Sequence, residues 1–285
     1  MFRTRLDYSR LWGLFKLLTL RGLYLSGILC IIGSVLLITT LNRPSESRAR
    51  IICKHNLKQI VIAVHRYHDD FHCFPPPFTT SERGVRLHSW RTLILPYLDQ
   101  QALYDRIRLS EPWNSPHNLD VAEKFTSTAQ SVYRCQRNPI EEDGSGSDTN
   151  YLAIVGPLAA WQVDRPLSID DFIDGTVNTL FIVEVANSGI HWMEPRDLYV
   201  GQMSMTVNAV YGQGISSYHS EEESPYARIV DSFIDSRPVR EGVATVSTAD
   251  GSVFQLPASL PDDLLEQLIT IDDGLPIEGW KRHLD

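Results

Sequence analysis

Positive charge is scarce over most of this chain, cysteine is scarce throughout, and no catalytic motif stands out. The whole sequence carries −9; residues 1–22 carry +4 and residues 42–58 another +4, so residues 59–285 sum to −17. That shortage of Lys and Arg excludes nucleic-acid binding by the bulk of the protein, because phosphate neutralisation needs basic side chains. Of four cysteines, Cys30 lies in an uncharged run. The remaining Cys53, Cys73 and Cys135 are too few to mark either redox compartment. No phosphate-cradling glycine loop and no Gly-x-Ser-x-Gly elbow occurs. Ser89 beside His88 has no third member, and Glu184 sits in a strand-like run without a paired acid. No repeat is found. These absences argue against an enzyme, and no cofactor is expected.

Charge is missing altogether from residues 23–41, LYLSGILCIIGSVLLITTL. A bilayer core needs about 20 apolar residues as a helix, so this run is expected to be an uncleaved single-pass transmembrane helix; a long signal peptide is the alternative. Residues 1–22, with Trp12, Phe15 and Lys16, suit the headgroup region. The two flanks of the run carry five basic residues each, so charge alone leaves the orientation open.

Residues 42–285 read as one α+β domain. Ser45 or Ser47 can cap a helix, and Cys53, Leu57, Ile60, Val64, Tyr67 and Phe71 recur at spacings of 4 and 3, an apolar stripe that Pro75, Pro76 and Pro77 end. The expected architecture is therefore the transmembrane helix continuing into a long amphipathic helix packed on an antiparallel sheet. YLAIVG, TLFIVEV, VATVST and VFQL read as strands. Asp174-Gly175 lies between the first two, and Ala249–Ser252 makes a hairpin turn between the last two. EPWNSPHN (111–118) and residues 141–150 read as loops. Residues 211–241 form a polar insertion in which Glu221–Glu223 are a solvated run. Ser259 is expected to cap a last helix, with Pro261 at its first position and Asp262 and Asp263 in its first turn.

CKHNLKQIVIAVHRYHDDFHCFPP resembles the opening motif of a pilin-like family abundant in planctomycete bacteria, domain of unknown function 1559. The matching positions are Cys53, Asn56, Leu57, Lys58, Gln59, His65, Tyr67, His68, Asp69, Pro75 and Pro76. HSWRTLILPYLDQQALYD, PWNSPHN, YRCQRNP, TNYLAIVG, DGTVNTLFIVE (with Asp174 and Gly175), ADGSVFQL (with Asp250 and Gly251) and LLEQLITIDDG follow in the family's order. The resemblance implies a pilin-like fold, the N-terminus in the cytoplasm, the head in the periplasm and a single pass through the inner membrane. It also implies pairing of Cys53 with Cys135, closing a loop of about 80 residues worth on the order of 4 kcal/mol, with Cys73 left over.

The chain departs from that family in three places. No acidic residue lies between Tyr8 and Pro44, where prepilins carry a glutamate that guides filament docking. The family's histidine ten residues before Asp250 is Arg240 here, and the nearest upstream histidine is His219. The glycine-glycine-glutamate after the last helix is Asp273-Gly274-Leu275.

The histidine cluster HRYHDDFH invites a metal reading. On an ideal helix His65, His68, Asp69 and His72 share one face, but His65 and His72 stand about 10.5 Å apart along the axis, whereas a zinc–nitrogen bond is about 2.1 Å. A structural role beside the following loop or the Asp-Gly turns is preferred, and no metal site is expected. Complete calcium loops are likewise missing at Asp174 and Asp250. The expected function is that of a membrane-anchored, pilin-like structural or assembly-associated protein whose partners are the lipid bilayer and other proteins or copies of itself. An anchored periplasmic ligand-binding module is the alternative, and a metal-dependent enzyme on His65, His68 and Asp69 comes last.

Overall fold

The structure, a computed structural model, describes residues 46–124, 132–135, 147–209, 213–219, 242–274 and 280–281. Residues 1–45, including the uncharged run, and most of the polar stretch 211–241 lie outside these. All described residues belong to the compact unit Glu46–Asp285.

Helix α1 spans Glu46–Phe71. Neither Gly nor Pro occurs within it, so nothing interrupts its backbone ladder. It ends at His72, which adopts a left-handed φ of 58°, a common helix-terminating conformation. The prolines then prevent resumption. The hairpin β1 (Phe78–Thr80) and β2 (Arg86–Ser89) follows. The Ser89 side chain caps α2 (Trp90–Leu93) by accepting from the Arg91 N–H at 3.2 Å. Pro96 sits in a 3-10 turn, Leu95–Leu98, ahead of α3 (Gln101–Tyr104). The stretch read as loop, 111–118, instead contains the start of α4 (Pro116–Lys124), with proline at a position where its missing N–H costs nothing.

Strands β3 (Tyr151–Val155), β4 (Leu180–Glu184), β5 (Leu198–Tyr199), β6 (Val243–Thr248) and β7 (Val253–Pro257) form a sheet ordered β5-β3-β4-β6-β7. Helix α5 (Asp262–Ile269) follows. Pro261 is its N-cap and no side chain caps it, so Ser259 does not play that part.

Both faces of the sheet are covered, which is why β3 and β4 read as unbroken apolar runs. Tyr151, Ala153 and Val155 point one way, into a core with Leu57, Ile60, Val61 and Val64 of α1. Leu152 and Ile154 point the other way, toward Leu265, Leu268 and Ile269 of α5. Burying one such aliphatic side chain stabilises by about 1.5–3 kcal/mol.

A buried ion pair holds α2 to the sheet. The Arg91 guanidinium donates to Asp197 Oδ1 at 2.6 Å, and the same oxygen accepts from Trp90 Nε1 at 3.1 Å and the Ala153 N–H at 2.9 Å. Arg91 also donates to the carbonyls of Trp192 and Arg196.

The expected architecture needs correction, although the class is α+β. Among the described residues no helix is long and apolar enough to cross a membrane. The α1 segment is not the cleanly two-faced rod anticipated. Ile51 is 68% exposed, Ile62 41% and Phe71 57%, so apolar side chains occur on both sides of it, and Phe71, assigned to the buried stripe, faces out. Nor is the sheet antiparallel throughout: β5 pairs with β3 in parallel, Ile154 opposite Leu198 and Val155 opposite Tyr199. The pilin-like architecture expected from the resemblance is set aside on these grounds.

Candidate functional site

The histidine-rich end of α1 does not gather into one site. His65 lies over the turn between β6 and β7, where Gly251 brings its backbone against the ring. Burial pushes the His65 pKa down. His68 accepts from the Ile169 N–H at 3.4 Å and packs on Phe74. Asp69 is exposed, as is Gln59. Tyr67 packs on Phe71 and Tyr97. Lys58 donates to the Gly251 carbonyl at 2.7 Å, and Asn56 donates to the Arg134 carbonyl at 3.3 Å. Leu57 and Pro75 are buried and Pro76 is half-buried.

The two Asp-Gly turns adjoin each other, since the Asp250 N–H donates to the Thr176 carbonyl at 3.1 Å. Asp174 in turn accepts from the Asp273 N–H at 2.9 Å. Asp250 binds Thr248 and both the N–H and hydroxyl of Ser252. Their carboxylates are thus spent on backbone and hydroxyl donors of their own turns and neighbours.

A different set of side chains does converge. Cys53 occupies a buried position on α1 facing the sheet. On β4, Ile182 and Glu184 share the face that looks toward α1, and Glu184 stands opposite Tyr151. The Tyr151 hydroxyl donates to the Cys53 carbonyl at 3.0 Å, fastening helix to strand at this level. Residues 132–135 are held by Asn150, whose Oδ1 accepts from the Cys135 N–H at 2.8 Å and whose own N–H donates to the Tyr133 carbonyl. Residues 213–219 run beside the end of β4. There the Ser216 N–H donates to the Glu184 carbonyl and the Ala186 N–H to the Ser216 carbonyl, which delivers His219.

As a result the sulfurs of Cys53 and Cys135 lie 2.6 Å apart, with both side chains as thiols. His219 Nε2 lies 3.3 Å from the Cys135 sulfur and 3.9 Å from Glu184 Oε1. One donor atom from each of the four lies within 4.8 Å of all the others, and all four residues are buried. Among the described residues this is the group that could hold a metal ion. Glu184 Oε2 accepts from the Thr245 N–H at 3.0 Å, while Oε1 has no hydrogen-bond partner among the described residues. The Cys53 thiol is brought down to about 6, chiefly by its hydrogen bond with Cys135 and further by His219, against the opposing effect of burial. The third cysteine, Cys73, is half-buried.

Residues 47–160 match the family model described as Protein of unknown function (DUF1559). Over that stretch, which is less than half of the chain, the sequence is similar to this family. No curated protein matches the chain, and no solved structure does. The DUF1559 stretch contains Cys53 and Cys135 but stops before Glu184 and His219.

The resemblance had singled out the cysteine pair. Reading the sequence alone missed its two companions. One signal was present: Glu184 is a lone charge inside an otherwise apolar strand, where a carboxylate needs a partner. His219 was noted only as the histidine nearest upstream of Asp250; nothing in the sequence tied it to the cysteines, because the contacts that place it are backbone pairings to a distant strand.

Proposed function

We propose that this protein is a membrane-anchored, assembly-associated protein, pilin-like in role, that works through protein contacts. The uncharged run 23–41 would serve as its single-pass anchor in the cytoplasmic membrane, with the DUF1559-containing domain on the periplasmic side. One observation carries the reading: the motif side chains Asn56, Lys58 and His68 fasten α1 to the rest of the domain. Lys58 holds the β6–β7 turn, Asn56 holds the segment bearing Cys135, and His68 holds the Ile169 backbone. A motif used in this way supports a scaffold role. Phe71 and Ile173, 57% and 68% exposed, offer apolar contact positions.

A photo-crosslinking residue at Phe71 or Ile173 of the full chain in native membranes tests the reading. A ladder of self-adducts or discrete partner adducts is expected. A solitary monomer from both positions overturns it.

A cleft of about 500 Å³ favours a second reading, that of a ligand-binding module. Arg86, Arg196, Tyr199, Gln202 and Gln213 line it, a set suited to a small polar molecule. Arg86 is already stacked on Phe78, its guanidinium 4.1 Å from the ring centre, and Arg196 donates to the Gly189 carbonyl at 2.7 Å. Those prior engagements make this the weaker case.

A further inference from the structure

We propose that Cys53, Cys135, His219 and Glu184 form a closed, structural zinc site. The donors are two thiols, an imidazole and a carboxylate. Sulfur and imidazole ligands select zinc over calcium or magnesium, which take oxygen donors. Four protein ligands with no open position, in a buried setting, make a structural site; catalytic zinc keeps a position free.

The unpartnered oxygen of Glu184 is the observation that points to a cation. Glu184 is 1% exposed and its Oε1 has no hydrogen-bond partner among the described residues, although His219 Nε2 stands 3.9 Å away. That separation is too long for a hydrogen bond. A buried carboxylate oxygen left without a hydrogen bond is costly. A divalent ion between Oε1, Nε2 and the two sulfurs removes that cost and uses all four side chains at once.

A disulfide is the rival account of the cysteines. It would consume the two sulfurs alone, passing two electrons to a disulfide-type oxidant, and would leave Glu184 Oε1 as it was. Nothing in a disulfide calls for a carboxylate and an imidazole beside it.

Zinc requires one adjustment. Two thiolates on a tetrahedral ion, each at about 2.3 Å, lie roughly 3.8 Å apart, so the sulfurs must separate from their present 2.6 Å. The imidazole and carboxylate are already near the spacing such an ion needs. On binding, two S–H bonds break, two Zn–S bonds form, and both protons leave to solvent. The surrounding hydrogen bonds hold the ligands in place: Thr245 N–H on Glu184 Oε2, Asn150 on the Cys135 backbone and Tyr151 on the Cys53 carbonyl. Partners of this kind orient metal ligands.

The test uses the full chain purified under reducing conditions without chelator, with zinc and free thiols both counted. About one zinc per chain is expected, set free as a mercurial forms mercaptides with the Cys53 and Cys135 thiolates. Replacing zinc with cobalt should give the visible bands of a tetrahedral ion and a sulfur-to-metal charge-transfer band. C135S should abolish both signals, E184Q should weaken zinc binding about 10-fold or more, and C73S should leave both unchanged. Should C135S fail to fold, the wild-type cobalt spectrum decides. A reduced chain that takes up no zinc, one whose Cys53 and Cys135 are joined and metal-free as isolated, or cobalt bound without the sulfur band each overturns the proposal.

Discussion

His191 accepts from the Met193 N–H at 3.1 Å and stacks between Trp113 and Trp192. Burial, helped by the charge of Arg91, brings its pKa down to about 4 from an ordinary 6.5. The folded state therefore takes up a proton later than the unfolded chain as pH falls. Its contribution to stability is complete above pH 6.5 and is lost as the pH drops toward 4. His65 and His88 are lowered in the same direction by burial. The urea midpoint should fall between pH 7 and pH 4.5, and His191→Asn, which keeps an acceptor but cannot titrate, should flatten that slope. The Arg91–Asp197 pair sets a larger effect. Arg91→Met leaves a buried carboxylate unpaired and should cost about 3–5 kcal/mol in chemical denaturation, while the double variant Arg91→Met, Asp197→Leu should lose clearly less. At this scale the two helical turns that keep His65 apart from His72 were legible in the sequence. The gathering of Glu184 and His219 around the cysteines was not, since no local spacing encodes it.

At the scale of elements, the runs YLAIV, LFIVE, VATVST and VFQLP were readable because β-branched and aromatic residues cluster there between turn residues. What the periodicity left hidden was that both faces are covered, since unbroken apolar runs carry no alternation to reveal it. The two-residue strand β5 is too short to show any pattern, so its parallel pairing, which makes the sheet mixed, was out of reach. Phe71 obeys the 4-and-3 spacing yet is 57% exposed, because it is the last residue of α1 and the backbone turns left-handed at His72. The turn between β6 and β7 is what meets α1. Gly251 there has φ +87°, and an added Cβ would meet His65 and Val61 only at an ordinary 3.6 Å. Gly251→Ala should therefore cost the strain of a left-handed backbone, about 1–2 kcal/mol, without a steric clash. A urea titration should show that loss with an unchanged slope.

For the whole molecule, the acidic balance of residues 59–285 and the DUF1559 match describe a domain whose motif residues knit it together. Crosslinking at Phe71 and Ile173 tests the proposed contact role at this scale. The four side chains that meet between α1 and β4 come from far apart in the chain: Cys135 lies 82 residues from Cys53 and 84 from His219. Such contacts close late in folding, since long loops must be gathered first. A clasp at that point acts on the way out of the native state more than on the way in. Stripping metal with a chelator should hasten unfolding in stopped-flow experiments and leave refolding at its former pace. Endurance in the folded form is the benefit such a late-closing clasp confers.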